Sequence, residues 1–334
     1  MNLSSLHEKL SKIKKLIDNE ILRLKNLNMF PEELYNAAFH LLISGGKRLR
    51  PFMLLESTQI FSNEINKAFP TAIAIELLHN FTLIHDDIMD KDEMRRGVRT
   101  THVVWGVPIA ITAGDVVFSF LFKYVVDESL KRGVEMSKIL HIVRTLADGA
   151  VKVCEGQIMD LLAQKYVDSE EKYFEMVLKK TSTLFKISAS LGGLIGGASE
   201  DQIRFLEKYG ENFGISFQIT DDILGLIGDP AITGKPVGSD LREGKKTIII
   251  LHGLRNSSEV QRSKILSCLG VRTSSEKKLK EVIEILKDIG SIDYARKKAI
   301  KYSKIAIGYL RRLPKNEHRE ILESLAKFTY SREL

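Results

Sequence analysis

Along the whole chain, stretches of roughly ten to twenty-five residues with apolar side chains three or four apart alternate with short breaks such as SGGKRLRP, RRGVRT, LGGLIGGAS and LGVRT. That period belongs to amphipathic helices, and it leaves almost no room for a sheet. The two β-branched stretches, VRTTHVVW and KKTIIIL, are too isolated to build one and are assigned to helix or loop. The N-terminal segment shows the pattern most plainly: Leu6, Leu10, Ile13, Ile17 and Ile21 fall on one stripe of a helix. An all-α bundle is expected. No Ser/Gly-rich or Pro-rich linker divides residues 1–334, so one domain is favoured over two.

Hydrophobic residues make up 44% and charged residues 28% of the 334, which excludes disordered and fibrous classes. The formal charge of +7 would suit an anionic partner, yet basic runs such as ARKKAIKYSK read as solvated helix faces. No nucleic-acid motif accompanies them, and no nucleic-acid partner is expected. Cys154 and Cys268 stand far apart without ligand-spaced neighbours and are expected to be reduced, buried thiols. The amphipathic N-terminus lacks the apolar core of a secretion signal. With no run approaching about 18 apolar residues, a cytoplasmic protein without stable membrane insertion is expected.

Two stretches carry the chemistry: FTLIHDDIMD from Phe81 to Asp90, and FQITDDILG from Phe217 to Gly225. Asp86 and Asp90 are four apart and share one helical face, where like charges weaken a helix unless a cation lies between them. Asp87, Asp221 and Asp222 extend the carboxylate set. Magnesium takes one or two protein carboxylates plus phosphate oxygens, so the pattern reads as a clamp for a diphosphate. The two stretches echo each other, which suggests a pseudo-symmetric bundle with carboxylates projecting into a central cavity.

Cations follow the first cluster at Arg95 and Arg96, and guanidinium forks match phosphate oxygens bidentately. A second basic site lies in GGKRLRP, where Lys47, Arg48 and Arg50 precede Pro51, a residue suited to the first position of a helix. Standing alone, that segment has a less favoured rival reading as a solvated basic turn. His79, two turns before Asp86 on the same face, can donate to the second anion or be structural. Lys180, Thr181, Gln218, Lys235 and Lys245 add donors suited to phosphate. Gln157 and Asp160 either line the same cavity or form a polar helix face, and Asp240 and Glu243 read as partners of nearby cations.

In order, GGKRLRP, LLHN, DDIMD with RRG, EGQIMD, KKT, FQITDDILG and GKPVGSD to GKKT resemble the trans-isoprenyl diphosphate synthase family, most of all its archaeal geranylgeranyl-type branch. The resemblance spans most of the chain. It implies an isoprenoid synthase-type helical bundle, a homodimer, and magnesium-dependent head-to-tail condensation of isopentenyl diphosphate onto an allylic diphosphate. By that resemblance, Asp86, Asp87, Asp90 and Asp221, with Asp222, hold two or three magnesium ions on the allylic diphosphate. Arg95, Lys180, Thr181, Gln218, Lys235 and Lys245 then contact that group, while Lys47, Arg50, His79 and Arg96 hold isopentenyl diphosphate. One departure stands out: Gly225 occupies the place where the second motif commonly ends in aspartate, which leaves ligation there to Asp221 with Asp222, and to either water or the later Asp229.

Product length is read from the same helix. With the diphosphate beside Asp86, the growing tail runs back towards the helix N-terminus, and one turn of about 5.4 Å matches one isoprene unit. Phe81, Thr82 and Phe118 are the candidate floor, or ordinary core contacts, and a mainly C20 product is expected, with C15 or a longer chain as the alternatives. A terpene cyclase and a non-catalytic prenyl-binding subunit are the rival readings. The cyclase needs no second diphosphate pocket, and a scaffold needs no acidic clusters.

Overall fold

The computed structural model describes residues 3–27, 29–228, 238–271 and 273–331. Its helices, in chain order, are α1 (Leu3–Lys25), α2 (Glu32–Ile43), α3 (Leu49–Gln59), α4 (Ile65–Asp90), α5 (Thr101–Trp105), α6 (Val107–Lys131), α7 (Met136–Leu161), α8 (Ala163–Tyr166), α9 (Glu170–Val177), α10 (Thr183–Gly196), α11 (Glu200–Ile227), α12 (Ser239–Glu243), α13 (Ile248–Asn256), α14 (Glu259–Cys268), α15 (Glu276–Asp288), α16 (Ser291–Leu310) and α17 (Glu317–Ser331). Between α9 and α10 the chain widens into a single π turn, Leu178–Ser182. Among the described residues the only sheet is a two-residue hairpin, β1 (Met94–Arg95) against β2 (Val98–Arg99), with Arg95 opposite Val98.

The hairpin departs from the helix-or-loop expectation for VRTTHVVW. Arg96 and Gly97 both take positive φ, 53° and 77°. That is the two-residue turn whose twist matches a pair of strands, and it sets Arg95 and Arg96 at the tip. KKTIIIL becomes the start of α13, capped by Thr247, whose hydroxyl accepts from the Ile250 N–H.

Residues segregate into two compact units. The first comprises Met1–Val151, Leu184–Gly210 and Tyr309–Leu325; the second comprises Lys152–Thr183, Glu211–Gly308 and Ala326–Leu334. In the first, α4 packs chiefly on α6 and α3. It is buried almost without interruption from Pro70 to Leu78, where Ala72 and Ala74 alternate with Ile73 and Ile75 and let both neighbours approach. Leu6, Ile13, Ile17 and Ile21 of α1 are buried as their spacing predicts. In the second unit, Val167, Tyr173, Ile219, Ile223, Leu241, Ile248, Ile249, Leu279 and Val282 belong to one apolar core. Burying that much aliphatic surface, at about 25 cal/mol per Å2, holds α11 to α15 together.

Three expectations change here. Cys268 is buried, but Cys154 is exposed because its neighbour Val153 takes the inward face of α7. Pro51 lies at the third position of α3, after Leu49 and Arg50, still in the first turn where its missing N–H costs nothing. Finally, α6 is long and apolar enough to cross a membrane by length and composition, despite Asp115 and Lys123 within it. Its Ala110, Ala113, Val117, Leu121 and Val125 are buried in the first unit, while Val107, Ile109 and Ile111 are exposed.

Candidate active site

In the first unit the acidic end of α4 and the hairpin form one electrostatic assembly. Asp87 is fully buried, and its Oδ1 accepts from Arg95 Nε. The same guanidinium reaches Asp92 Oδ2 at 3.4 Å and Asp86 Oδ2 at 3.9 Å. Burial alone would push the Asp87 carboxyl up strongly; Arg95 offsets part of this, and it comes to rest at about 6. Its Oδ2 is buried without a hydrogen-bond partner. Asp86 and Asp90, one turn apart, remain partly exposed. The adjacent aspartates therefore differ in role: Asp87 anchors Arg95, while Asp86 and Asp90 face outward from the helix end.

Beside this assembly lies the turn between α2 and α3. Arg96 donates from Nη1 to the carbonyls of Gly45 at 2.5 Å and Leu41 at 3.1 Å. Its guanidinium rests on Gly46, where a Cβ would come within 2.9 Å of Arg96 Cζ and where φ is +132°. Only glycine suits that position, which explains the Gly-Gly of GGKRLRP. Arg50 stacks its guanidinium 4.5 Å from the Phe185 ring centroid, and Lys47 is exposed. Arg48 has a different fate from its neighbours. It is buried and donates to Glu76 at 2.5 Å, Asp18 at 2.9 Å and the Leu42 carbonyl at 2.5 Å. It braces the turn and adds positive field, but its donors are committed inside the protein.

His79 sits half-buried on α4 in the field of Arg50, Arg96, Arg95 and Arg48. Burial and these four cations hold its imidazole well below the ordinary 6.5, so it is neutral at neutral pH. Of these cations, Arg48 and Arg95 are paired with carboxylates, while Arg96 donates to backbone carbonyls and Arg50 lies against Phe185. Two residues on, at the α4–α6 contact, the Phe81 and Phe118 rings lie 4.8 Å apart, and the half-buried Thr82 donates to the His79 carbonyl at 2.7 Å.

The second unit holds the other cluster by itself. Asp222 is buried, with Oδ2 2.6 Å from the Tyr173 hydroxyl and Oδ1 accepting from Gln218 at 2.8 Å. Burial, then the charge of Asp240, push its carboxyl up to about 8. Gln218 accepts in turn from Thr181 at 2.6 Å. Lys180 donates to Asp160 at 2.5 Å, and Lys245 pairs with Glu243 at 2.7 Å and Asp240 at 3.9 Å. Burial would lower the Lys245 ammonium, but Asp240, Asp160 and Glu243 hold it well above its ordinary value, so it stays charged.

Lys180 and Thr181 owe their position to the π turn, a local widening that often marks functional positions in helices. Gly156 of α7 makes room for it: a Cβ there would lie 2.3 Å from the Lys180 nitrogen. Asp160, one turn beyond Gly156, pairs with Lys180. Lys235 and Asp229 lie outside the described residues.

Tyr173, which holds Asp222, was not legible in advance, because nothing near it in the chain suggests a site. Among the described residues no three His, Cys, Asp or Glu side chains gather closely enough to hold a cation by themselves. Carboxylate oxygens, including the unpartnered Asp87 Oδ2, are nevertheless the donors magnesium prefers. Magnesium completes its shell with water and phosphate oxygens, so few protein donors suffice for it.

Residues 31–286 match the family described as Polyprenyl synthetase, and the chain belongs to that family. It is 41% identical over 321 residues to the geranylgeranyl diphosphate synthase of Saccharolobus solfataricus, covering 95% of this chain and 96% of that one. The crystal structure of geranylgeranyl pyrophosphate synthetase from Pyrococcus horikoshii superposes with a TM-score of 0.89 at 42% identity, covering 98% and 99%. A geranylgeranyl pyrophosphate synthase from Corynebacterium glutamicum, solved with isoprenyl diphosphate and magnesium, matches at 25% identity and a TM-score of 0.83, covering 98% of each. The fold is the all-α isoprenoid synthase fold.

Proposed function

We propose that this protein is a magnesium-dependent trans-prenyltransferase that joins isopentenyl diphosphate head-to-tail to dimethylallyl, geranyl or farnesyl diphosphate, making mainly geranylgeranyl diphosphate and releasing diphosphate. The observation that carries this reading is the basic set formed by the α2–α3 turn and the hairpin, where Arg96 lies over Gly46, beside the acidic end of α4 with Arg95 near Asp86. A cyclase, which ionises one diphosphate, has no use for a second anion pocket of that strength.

In this reading Asp86, Asp90 and Asp221 hold two or three magnesium ions on the allylic diphosphate, with Asp87 fixing Arg95 against it. Asp222, kept in place by Tyr173 and Gln218, backs Asp221. Lys180, Thr181, Gln218, Lys235 and Lys245 orient the same group. Lys47, Arg50, His79 and Arg96 hold isopentenyl diphosphate. Magnesium, when bound, withdraws charge from the departing diphosphate. The arginines and lysines spread that charge further, so the allylic C–O bond breaks and the alkene of isopentenyl diphosphate attacks the cation. Loss of one proton, with the released diphosphate as base, restores a double bond. No protein nucleophile takes part.

The same reading covers the quaternary and cellular setting: a single polyprenyl synthetase domain in which both units act, assembled as a homodimer, cytoplasmic, and without stable membrane insertion. The family match, which runs through segments of both units, supports the first of these. The test is a product assay on purified protein with magnesium, isopentenyl diphosphate and each allylic primer. Chain-elongated prenyl diphosphates are expected. Cyclic hydrocarbons or alcohols would establish a cyclase, and no product would establish a scaffold.

A further inference from the structure

Residues 45–48, which lead through Lys47 into α3, belong to neither helix nor strand. Their conformation therefore depends on what grips them from outside. One grip is Arg48, whose backbone takes a left-handed φ of 50°, a conformation that a non-glycine residue keeps only where its surroundings hold it. The hold is a three-way fork. Arg48 Nε donates to Asp18 Oδ1 at 2.9 Å, Nη1 to Glu76 Oε1 at 2.5 Å and Nη2 to the Leu42 carbonyl at 2.5 Å. These acceptors come from α1, α4 and the end of α2, so three helices fix one arginine.

The side chains of Arg48 and Glu76 are 1% and 3% exposed. Asn80, one turn along α4, donates from Nδ2 to the same Glu76 oxygen at 3.3 Å and to the Glu76 carbonyl at 2.9 Å, which restrains the carboxylate. Asp18 lies at the partly exposed rim and shares its other oxygen with Lys14. A buried ion pair that only stabilises the fold is the plain alternative, yet such pairs often add little against apolar replacements, because each ion loses its water. The address of this one is informative. Arg48 lies between Lys47 and Arg50, and Glu76 precedes His79 by three residues on one face of α4.

We propose that Asp18 and Glu76 are positioning residues for isopentenyl diphosphate: acting through Arg48, they fix the 45–48 turn and so the placement of Lys47 and Arg50. The inference rests on the reading of that basic site given above and deepens it, by drawing α1 into substrate binding. A rival route from Glu76 runs through its field, because burial pushes the Arg96 guanidinium down and the charge of Glu76 is the leading counterweight.

The test is the Kd for isopentenyl diphosphate, by calorimetry on the full chain, together with KM for each substrate. Glu76→Gln, which keeps the shape and removes the charge, is expected to weaken isopentenyl diphosphate about tenfold, and Asp18→Asn about threefold. KM for the allylic primer should stay within about twofold, which a general loss of stability would not ensure. Arg48→Gly suits the left-handed backbone and removes only the fork, so it should weaken isopentenyl diphosphate as much as Glu76→Gln does. Because Glu76 acts through Arg48, the double variant should be no weaker than Arg48→Gly. Losses that add would assign Glu76 to the field on Arg96 and overturn the inference, as would a Kd unchanged in Glu76→Gln or in Asp18→Asn. Should Glu76→Gln fail to fold, Asp18→Asn at the rim decides alone. Lys47→Ala separates the two levels: if it weakens isopentenyl diphosphate while Asp18→Asn does not, the inference fails and the wider reading stands. A parent protein that binds no isopentenyl diphosphate overturns both.

Discussion

Asp222 shows what a buried carboxylate costs the protein that carries it. Burial and Asp240 raise its carboxyl from the ordinary 3.8 to about 8, so the folded state keeps a proton that the unfolded chain has already lost. The sign follows: this group's contribution is fully present below about 3.8 and is lost as pH rises through about 8. Asp222→Asn should therefore melt at a higher temperature than the parent above pH 8 without divalent ions, the difference shrinking towards pH 4. Thermal melts across that range check it. Arg96 carries a second prediction at this scale. Gly46→Ala would push its guanidinium off the turn, and losing one charge-assisted contact of about 1.5–3 kcal/mol should raise KM for isopentenyl diphosphate roughly tenfold or more. The KM for the allylic primer should change much less, as steady-state kinetics with each substrate varied would reveal.

At the scale of elements, α4 does two jobs, since its buried middle packs on α6 and α3 while its end presents Asp86 and Asp90. The 4.8 Å contact between Phe81 and Phe118 ties the two helices together one turn before the acids. Thr82→Phe should shorten the product by about one isoprene unit, since one helical turn spans about 5.4 Å, and Phe118→Ala should lengthen it. Chromatography of radiolabelled products reads both; an unchanged ladder in Thr82→Phe would remove that residue from the floor. The helices were legible because apolar residues recur at a period only helices satisfy. The hairpin was not, because two-residue strands carry no period, although Arg96-Gly97 is a turn signal that could have found it. Neither was the π turn, whose residues read as ordinary helix. Arg48 was grouped with Lys47 and Arg50 because its partners, Asp18 and Glu76, are distant in the chain. The contrast between Asp86 and Asp87 was hidden for another reason: adjacent helical residues point about 100° apart, and which one faces inward depends on how α4 docks.

For the molecule as a whole, the family and the all-α fold follow from the chain's matches, and the proposed chemistry divides between anion binding by the arginines near His79 and cation binding by the carboxylate clusters. Both features are electrostatic, so activity should hinge on a divalent ion rather than on any single proton transfer by the protein. The most direct measurement is incorporation of radiolabelled isopentenyl diphosphate into allylic products by purified protein, with magnesium and again after chelation with EDTA. Elongation that vanishes in chelator and returns on adding magnesium back is the predicted result. Undiminished elongation in excess chelator would contradict the account.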